Sequence, residues 1–341
     1  MTDGRHPPNR RATSYDVAQA AGVAQSTVSR CFKDDGTISP ETREKVLRVA
    51  AQLGYSRNAL ARSLITRTSN MVGVIVTEFT MRNNPELTYA LGIKLRAAGL
   101  GLLVQVIESD AAIGAVLPQS MEFPLDGLIC CAQMASEDVE RFCRHGIPVL
   151  FFNRIVQADH VDCLSLDHAE AGRMVAQALY TAGHRDIACI RGPAGAPVSE
   201  LRVEGFRRAL AELGVPDIRT RTADFSYHGG RAAFLDLSRT LPLPDAVFCA
   251  NDQLALGVMD ACRYELGLRI PEDISVIGFD DIAEAGRPGY ALTTVHQPIA
   301  DMAEKAVTLL MERIATPQLP GRQILLRGEL IRRASARLAP G

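Results

Sequence analysis

The chain has 341 residues with 37 Lys and Arg against 39 Asp and Glu, a formal net charge of −2 at pH 7. This length favours two or three domains, and an apolar content of 47% is enough for packed cores. No stretch approaches the roughly 18 apolar residues of a membrane span, and the polar N-terminus lacks a secretory signal, so a cytoplasmic protein is expected.

Three short helical patterns separated by tight turns stand near the N-terminus. Thr13 is expected to cap the first helix with Asp16 as its capping-box partner, and Gly22 ends that helix. The second pattern covers residues 25–32 and turns Val28 inward. Its opposite face carries side chains suited to base edges and phosphates, namely Gln25, Ser26, Ser29 and Arg30.

The third helical pattern begins at Ser39, a good N-cap, and ends at Gly54. Its expected buried stripe is Val46, Leu47, Ala50 and Leu53. The three helices could be a plain packing unit, but their charge favours a DNA-binding role. Residues 1–70 hold eleven Lys and Arg against six Asp and Glu, whereas the rest of the chain holds 26 against 33. A basic head on an acidic body suits binding of a polyanion at one end.

Beyond residue 70, apolar runs typical of buried strands alternate with amphipathic helical stretches. This order predicts an α/β core of two doubly wound parallel sheets. The expected strands are 73–77, 100–107, 126–130, 148–152, 186–192, 245–250 and 274–279. The expected helices include 86–98, 168–182, 200–213 and 252–266. Eight cysteines are scattered without a CxxC pair, which favours reduced, buried thiols over a zinc site or disulfides.

Polar residues follow the apolar strands, where ligands of open α/β sheets bind. They are Thr77, Glu78, Asn153, Arg154, Arg191, Asn251, Asp252, Asp280 and Asp281. Carboxylates accept hydroxyl groups and Arg offers a fork of donors, so the set predicts a polyhydroxylated ligand, with Phe225 as an apolar face for its ring. Arg154, Arg191 and Arg202 leave an acidic or phosphorylated sugar open. Asp252 and Asp281 could instead cap the helices that follow them.

These motifs match a known family. The N-terminal segment resembles the headpiece of the lactose-repressor (LacI/GalR) family of bacterial transcription regulators in YDVAQAAGV, STVSR, SPETREKVLRVAAQLGY and NALARSL. Core segments that resemble the family, in family order, are DGLIC, GIPVLFFNR, AGHRDIACIRGP, CANDQLALGVMDA, ISVIGFDD and LTTVHQP. The resemblance covers residues 13–335, nearly the whole chain.

The resemblance implies a helix-turn-helix headpiece, a hinge helix and a core of two subdomains like those of periplasmic binding proteins. The expected boundaries are a disordered basic arm at 1–12, the headpiece at 13–57, the hinge and linker at 58–69, and the core at 70–341. Subdomain one is expected at 70–165 and 296–326, and subdomain two at 166–295 and 327–341. Position 57 is Arg where the family usually has Pro.

The family's function then becomes the expectation: a nucleoid-associated repressor that binds near-palindromic double-stranded operator DNA as a homodimer. Its effector would be a sugar, sugar acid or sugar phosphate, with no cofactor, metal or membrane partner. The DNA contacts implied are Thr13, Tyr15, Gln25, Ser26, Thr27, Ser29, Arg30, Asn58, Ala61 and Leu64, with Leu64 as a minor-groove wedge. The effector contacts implied are Thr77, Asn153, Arg202, Phe225, Asn251 and Asp280.

A helical stripe in the first subdomain bears on assembly. It consists of Leu87, Ala90, Leu91, Lys94 and Leu95. The stripe either covers its own sheet or, as the resemblance adds, contributes to a two-fold dimer interface.

Two other functions share parts of this pattern. A transport-type sugar-binding protein would need export and leaves the basic head unexplained. A sugar-modifying enzyme with a DNA-binding head would show turnover of the bound sugar, but no nucleophile, base and orienting group are recognisable as a motif. The sequence therefore predicts a regulator and no enzyme.

Overall fold

The computed structural model describes residues 12–32, 38–56, 68–156 and 158–339, and the chain divides into two compact units, Met1–Ser69 and Asn70–Gly341. The described part of the first unit forms α1 (Ser14–Ala21), α2 (Gln25–Cys31) and α3 (Pro40–Gln52). The predicted basic arm, apart from its last residue, lies outside the described residues, as do Arg57, Asn58, Ala61 and Leu64.

Local hydrogen bonds set the helix ends of the first unit, as predicted. Thr13 Oγ1 accepts a hydrogen bond from the backbone N–H of Asp16 (3.4 Å), and the Thr13 N–H donates to Asp16 Oδ2 (2.7 Å). Gly22 follows α1 with φ of 64°, a left-handed conformation that glycine adopts without strain. Ser39 Oγ accepts from the backbone N–H of Thr42 and so caps α3.

The core of the first unit contains two of the four residues predicted for the stripe of α3. Val46 and Ala50 are buried, but Leu47 and Leu53 are 38% and 42% exposed, so the prediction was wrong for both leucines. Each residue of an α-helix turns the side chain by about 100°, and the neighbour of a buried position can therefore point outward. Val49, partly buried, packs against the same core.

The second unit contains two six-stranded sheets, which confirms the predicted pair of doubly wound sheets. The first sheet comprises β1 (Met71–Thr77), β2 (Gly101–Ile107), β3 (Gly127–Cys130), β4 (Val149–Phe152), β5 (Asp162–Leu166) and β11 (Gln323–Leu326). The second comprises β6 (Ile187–Arg191), β7 (Arg219–Thr222), β8 (Ala246–Cys249), β9 (Ser275–Asp280), β10 (Thr293–His296) and β12 (Glu329–Ile331). The strand orders are β2-β1-β3-β4-β5-β11 and β7-β6-β8-β9-β10-β12, and all pairings are parallel except that of β10 with β12.

The helices of the second unit pack against these sheets. They are α4 (Glu78–Asn83), α5 (Pro85–Ala97), α6 (Ile113–Glu122), α7 (Ser136–Arg144), α8 (His168–Thr181), α9 (Pro197–Glu212), α10 (Tyr227–Leu237), α11 (Asp252–Asp260) and α12 (Ile299–Ala315). The chain leaves the second sheet after β10, and α12 packs on β3, β4 and β5 of the first sheet. Strand order reverses beside β1 in one sheet and beside β6 in the other. Such reversals open a crevice at the carboxyl ends of the strands.

The stripe on α5 covers its own subunit. Leu87, Leu91 and Leu95 are buried against the first sheet and α12, so they are not available for contact with another protomer. The large exposed apolar side chains of α5 are Tyr89 and Ile93, four residues apart and therefore on one face.

One buried carboxylate fixes the return of the chain to the first sheet. Asp162 on β5 accepts hydrogen bonds from Arg313 Nη2 (2.7 Å) of α12 and from Arg322 Nε (2.9 Å) just before β11. The side chains of Asp162 and Arg313 are each 1% exposed. Three segments far apart in sequence thus meet at one carboxylate.

Candidate functional site

The first unit presents a polar face on α2. Four of the predicted DNA contacts are exposed there: Gln25, Ser26, Ser29 and Arg30. Thr27 is half-buried, and Val28 is buried in the core. Tyr15 on α1 is 71% exposed, whereas the Thr13 hydroxyl takes part in the capping box. The Gln25 amide donates a hydrogen bond to Ser14 Oγ (3.2 Å), which steadies the start of α2, where Ala24 supplies no side-chain cap.

The second unit contains a cavity of about 300 Å³ at the carboxyl ends of its strands. We call it the cleft cavity. All six predicted effector contacts line it, from both sheets: Thr77, Asn153, Arg202, Phe225, Asn251 and Asp280. A pocket of this size, with several polar groups converging on it, is typical of a small-molecule site.

An ion pair lies at the base of the cleft cavity. Arg202 Nη2 lies 3.0 Å from Asp280 Oδ1, and Arg202 Nη1 donates to the carbonyl oxygen of Ala250 (2.6 Å). The guanidinium carbon lies 3.6 Å from the centre of the Phe279 ring. Burial lowers the pKa of Arg202 and raises that of Asp280, and the attraction between the two charges opposes both shifts. The pair therefore holds two desolvated charges in a fixed geometry.

Gln297 links the two sheets across the cleft cavity. Its amide nitrogen donates to Asp280 Oδ1 (2.7 Å), and its amide oxygen accepts from Asn153 Nδ2 (3.1 Å). Among the described residues Asp280 Oδ2 forms no hydrogen bond, so this oxygen can accept one from a ligand hydroxyl. Asn153 and Asp280 have positive φ angles of 53° and 115°, a strained backbone that is common at binding sites.

Phe225 forms an apolar wall of the cleft cavity. Its ring centre lies 4.9 Å from that of Phe79, which follows β1 in the opposite subdomain, with 37° between the ring planes. Any side chain at Gly192 would collide with the Phe225 ring, since a Cβ there would lie 2.0 Å from it. The Phe225 backbone has φ of 66°, and Asn251 Nδ2 donates to its carbonyl oxygen (3.1 Å). The ring is therefore held in one place.

Two of the predicted contacts also cap helices. Thr77 Oγ1 accepts from the backbone N–H of Thr80 (3.1 Å) at the start of α4, and Asn251 Oδ1 accepts from that of Leu254 (3.0 Å) at the start of α11. These bonds fix the side chains before any ligand arrives. Each remains at the wall of the cavity.

Both units of the chain are similar to known protein families. A model described as bacterial regulatory proteins, lacI family, matches residues 13–58, and one described as a periplasmic binding protein-like domain matches residues 176–336. The chain is 34% identical over 330 residues to the ribose operon repressor of Escherichia coli strain K12, spanning 95% of this chain and 100% of the relative. The chain belongs to the LacI family of bacterial regulatory proteins.

Other members and solved structures agree with this membership. The LacI-family chain is 32% identical over 340 residues to the HTH-type transcriptional regulator CelR of Thermobifida fusca, spanning 96% of this chain and 98% of the relative. The Lac repressor dimer bound to operator and the anti-inducer ONPF has a TM-score of 0.86 at 27% identity, covering 97% of this chain and 100% of that one. A CelR–cellobiose complex has a TM-score of 0.72 at 28% identity, covering 96% and 100%. This LacI-family protein is a DNA-binding transcriptional regulator.

Asp252 and Asp281 were expected either to contact the ligand or to cap helices. In this LacI-family core they have neither role. Asp252 is fully buried and accepts from Thr294 Oγ1 and from the backbone N–H of Ile282 (2.9 Å), and its burial raises its pKa well above the usual value. Asp281 accepts from Arg333 Nη2 (2.6 Å) and hydrogen-bonds to His296 Nδ1. Neither lines the cleft cavity. Both brace the segment between β9 and β10, which holds Asp280 in position.

Several residues that line the cleft cavity were not predicted, among them Phe79, Asp110 and Gln297. Phe79 stands only two positions after Thr77, and Gln297 directly follows β10, so both could have been found by their distance from a strand end. Asp110 lies three residues after β2, an edge strand. No helix of the described residues is long and apolar enough to span a bilayer.

Proposed function

We propose that this LacI-family regulator is a repressor that binds a near-palindromic operator as a homodimer. We further propose that a small polyhydroxylated effector, a sugar, sugar acid or sugar phosphate, controls its operator affinity from the cleft cavity. The convergence of six polar and aromatic side chains from two sheets on one cavity carries this proposal. Relatives named for a ribose operon and a solved complex with cellobiose support a sugar-like ligand.

The proposed regulator has a headpiece at 13–57, a hinge at 58–69 and a core at 70–341. The headpiece side chains proposed to contact DNA are Thr13, Tyr15, Gln25, Ser26, Thr27, Ser29 and Arg30. The hinge residues proposed to enter the minor groove are Asn58, Ala61 and Leu64, with Leu64 as the apolar wedge. A ligand changes operator affinity only through unequal affinity for two states, with a coupling of about 1–3 kcal/mol in typical cases.

The direct test of this function is capture of genomic DNA fragments by the purified protein, followed by sequencing. The enriched fragments are expected to share one near-palindromic site, because a two-fold dimer presents two identical headpieces to two half-sites. The expected loss of binding with rising salt would report the phosphate contacts. Enrichment without any shared site would contradict sequence-specific regulation.

Gln25 is expected to read operator bases. Gln25→Ala should change which operator variant is preferred, at about 1–3 kcal/mol per altered contact, because a lost bidentate bond removes discrimination at one base pair. Competition binding against a set of operators substituted at single positions measures this change. Gln52→Ala on α3 is the matched control, since Gln52 is exposed outside the α2 face. An unchanged order of preference for Gln25→Ala would refute the assignment.

The protein is expected to be a homodimer without DNA. Because the Leu87, Leu91 and Leu95 side chains are buried within the subunit, the exposed pair Tyr89 and Ile93 is the better candidate for an interface on α5. Sedimentation at micromolar concentration should give a dimer mass, and Tyr89→Asp should shift the distribution toward monomer. Tyr264→Asp, at an equally exposed tyrosine, should leave the dimer intact. A monomeric parent protein would contradict the proposal.

One cluster of side chains in the second unit has the arrangement of an enzyme's catalytic residues. His184 lies between Asp245 Oδ1 (3.1 Å) and Ser275 Oγ (3.2 Å), the order of a nucleophile, base and orienting group. Ser275 and His184 are buried, however, and Ser275 Oγ accepts from the backbone N–H of Arg337. We propose that these bonds fasten the C-terminal tail to the second sheet and that the protein acts without turnover of its ligand.

A further inference from the structure

A second cavity, of about 520 Å³, adjoins the cleft cavity. We call it the side cavity. It shares four lining residues with the cleft cavity, namely Asn153, Arg154, Pro197 and Val198. Its remaining wall includes His168, Arg191 and the outer face of α9 around Glu204 and Arg207. Arg154 thus stands at the junction of two spaces, and its charge acts on both.

Arg154 is a largely buried cation with an incomplete set of partners. Its side chain is only 12% exposed, and the closest carboxylate oxygen, Asp110 Oδ2, lies 3.8 Å from its Nη2. Its Nη1 donates to the carbonyl oxygen of Asn153 (2.9 Å), but its Nε is buried and has no partner among the described residues. Arg202 and Arg313, also buried, have carboxylate oxygens at 3.0 Å and 2.7 Å. Burying such a charge costs free energy unless an opposite charge lies within hydrogen-bond distance of it.

Asp110 lies too far from Arg154 to form a hydrogen bond that would compensate its charge. Its Oδ1 accepts from the backbone N–H of Gln133 (3.0 Å), which ties the carboxylate to a neighbouring loop. The charge of Arg154 also acts on His168. Burial is the main cause that holds the pKa of the His168 imidazole well below its usual value, and the positive charges of Arg202 and Arg154 lower this pKa further. His168 is therefore neutral at pH 7.

His168 adds a second unsatisfied donor at the side cavity. Its Nδ1 lies 3.3 Å from Arg202 Nε, which can only donate, so the hydrogen of the neutral ring is on Nε2. That Nε2 is buried and has no partner among the described residues. The unsatisfied groups of Arg154 and His168 are both donors, and donors require an electron-rich partner.

The two cavities differ in the chemistry of their walls. The cleft cavity carries carboxylates that can accept hydroxyl groups, at Glu108, Asp110, Asp224 and Asp280. In the side cavity three arginines, Arg154, Arg191 and Arg207, outnumber the two carboxylates of Glu200 and Glu204. Arg191 lies 3.5 Å from Glu200, and Arg154 has no carboxylate within hydrogen-bond distance. A ligand with hydroxyls at one end and negative charge at the other would match this division.

We infer that the effector carries an anionic oxygen group, a carboxylate or a phosphoryl group, which binds Arg154 where the two cavities meet. Its hydroxyl groups then lie against the carboxylates of the cleft cavity. This inference rests on the proposed function and narrows its effector to charged sugars. Bidentate bonds from a guanidinium to an anion would supply the counter-charge that Asp110 leaves at 3.8 Å.

The test uses two matched series, each built on one carbon skeleton. They are ribose, ribonate and ribose 5-phosphate, and glucose, gluconate and glucose 6-phosphate. Titration calorimetry with the full-length protein should show a charged member binding at least about tenfold tighter than its neutral parent, as expected for charge-assisted bonds. The charged member that binds more tightly in each series shows whether the site prefers a carboxylate or a phosphoryl group.

Variants of Arg154 assign the effect to this residue. Arg154→Gln should abolish the advantage of the charged ligand, whereas Arg154→Lys should keep part of it. The matched control is Arg208→Gln, at an exposed arginine of α9 that pairs with Glu212. A cooperative thermal unfolding transition of the second unit, at or above the melting temperature of the parent, confirms that each variant is folded, because operator binding by the first unit does not report on the second.

Two results would overturn the inference. One is a neutral sugar that binds as tightly as its charged relatives and is unaffected by Arg154→Gln. The other is a lack of binding by every charged member of both series.

The proposed function can survive the first of these results. It stands if the neutral sugar still changes operator affinity and Arg202→Ala removes that change. If an effector that binds in the cleft leaves operator affinity unchanged, the proposed function itself fails.

Discussion

Arg202→Ala and Asp280→Ala are each expected to abolish the effector response while operator binding survives. Each substitution removes a ligand partner at the base of the cleft cavity and leaves the other member of the pair buried without its counter-charge. Such a loss costs about 3–5 kcal/mol in typical proteins, so the second unit should also melt at a lower temperature. The first unit has its own core and helix caps and should still bind operator. Fluorescence anisotropy of labelled operator, with and without effector, measures the response.

A conservative variant separates lost recognition from lost folding. Asp280→Asn keeps the shape of the side chain and tolerates the positive φ of 115° better than most residues, so the fold should be retained. It still removes the charge that faces Arg202, and the response should fall strongly. Arg208→Ala serves as the surface control. A full effector-driven shift of operator affinity in both alanine variants would refute the site.

Asp162→Ala is expected to lower the free energy of unfolding of the second unit by about 3–5 kcal/mol, because it leaves Arg313 buried without its partner. Urea titration at neutral pH, followed by far-UV circular dichroism, measures this loss. The matched control is Asp236→Ala, which breaks an exposed pair with Arg221 and should change stability by about 0–1 kcal/mol. Equal losses in the two variants would contradict the role of Asp162.

The free energy of unfolding is expected to depend on pH through the carboxylate of Asp162. Burial by itself would raise the pKa of Asp162, but the hydrogen bonds from Arg322 and Arg313 outweigh it and hold the pKa below its usual value. A group with a lowered pKa stabilises the fold above its unfolded pKa, and that stability is lost as pH falls through its folded pKa. The stability difference between the parent and Asp162→Ala should therefore be largest near neutral pH and shrink in acid. A difference that grows as the pH falls would have the wrong sign.

Some side chains of the effector site also stabilise the fold. Thr77 and Asn251 cap helices while lining the cleft cavity, and Asp252 and Asp281 brace the segment that directly follows Asp280. Side chains held in this way lose little freedom when a ligand binds, which favours affinity and discrimination between ligands. Substitutions in the bracing residues should consequently alter ligand selectivity without removing any direct contact.

The amino-acid sequence by itself determined the features that depend on near neighbours. The Thr13–Asp16 capping box and the cap at Ser39 join atoms within a few residues, so spacing alone predicts them. The central strands of both sheets were recognisable because parallel strands buried on both faces are apolar throughout. The order of the family's motifs then located six residues that meet in one cavity.

Only the tertiary structure decided the features that join distant segments. Strands β5 and β10 are buried yet contain Asp162 and Thr294, whose polar groups are satisfied by partners far along the chain, and no local pattern marks them as core. The same holds for Gln297, which reaches Asn153 across 144 residues, and for the Phe79–Phe225 contact. The outward turn of Leu47 and the burial of the three leucines of the α5 stripe likewise depended on which neighbours each helix faces. Periodicity defines an apolar face, but packing decides what covers it.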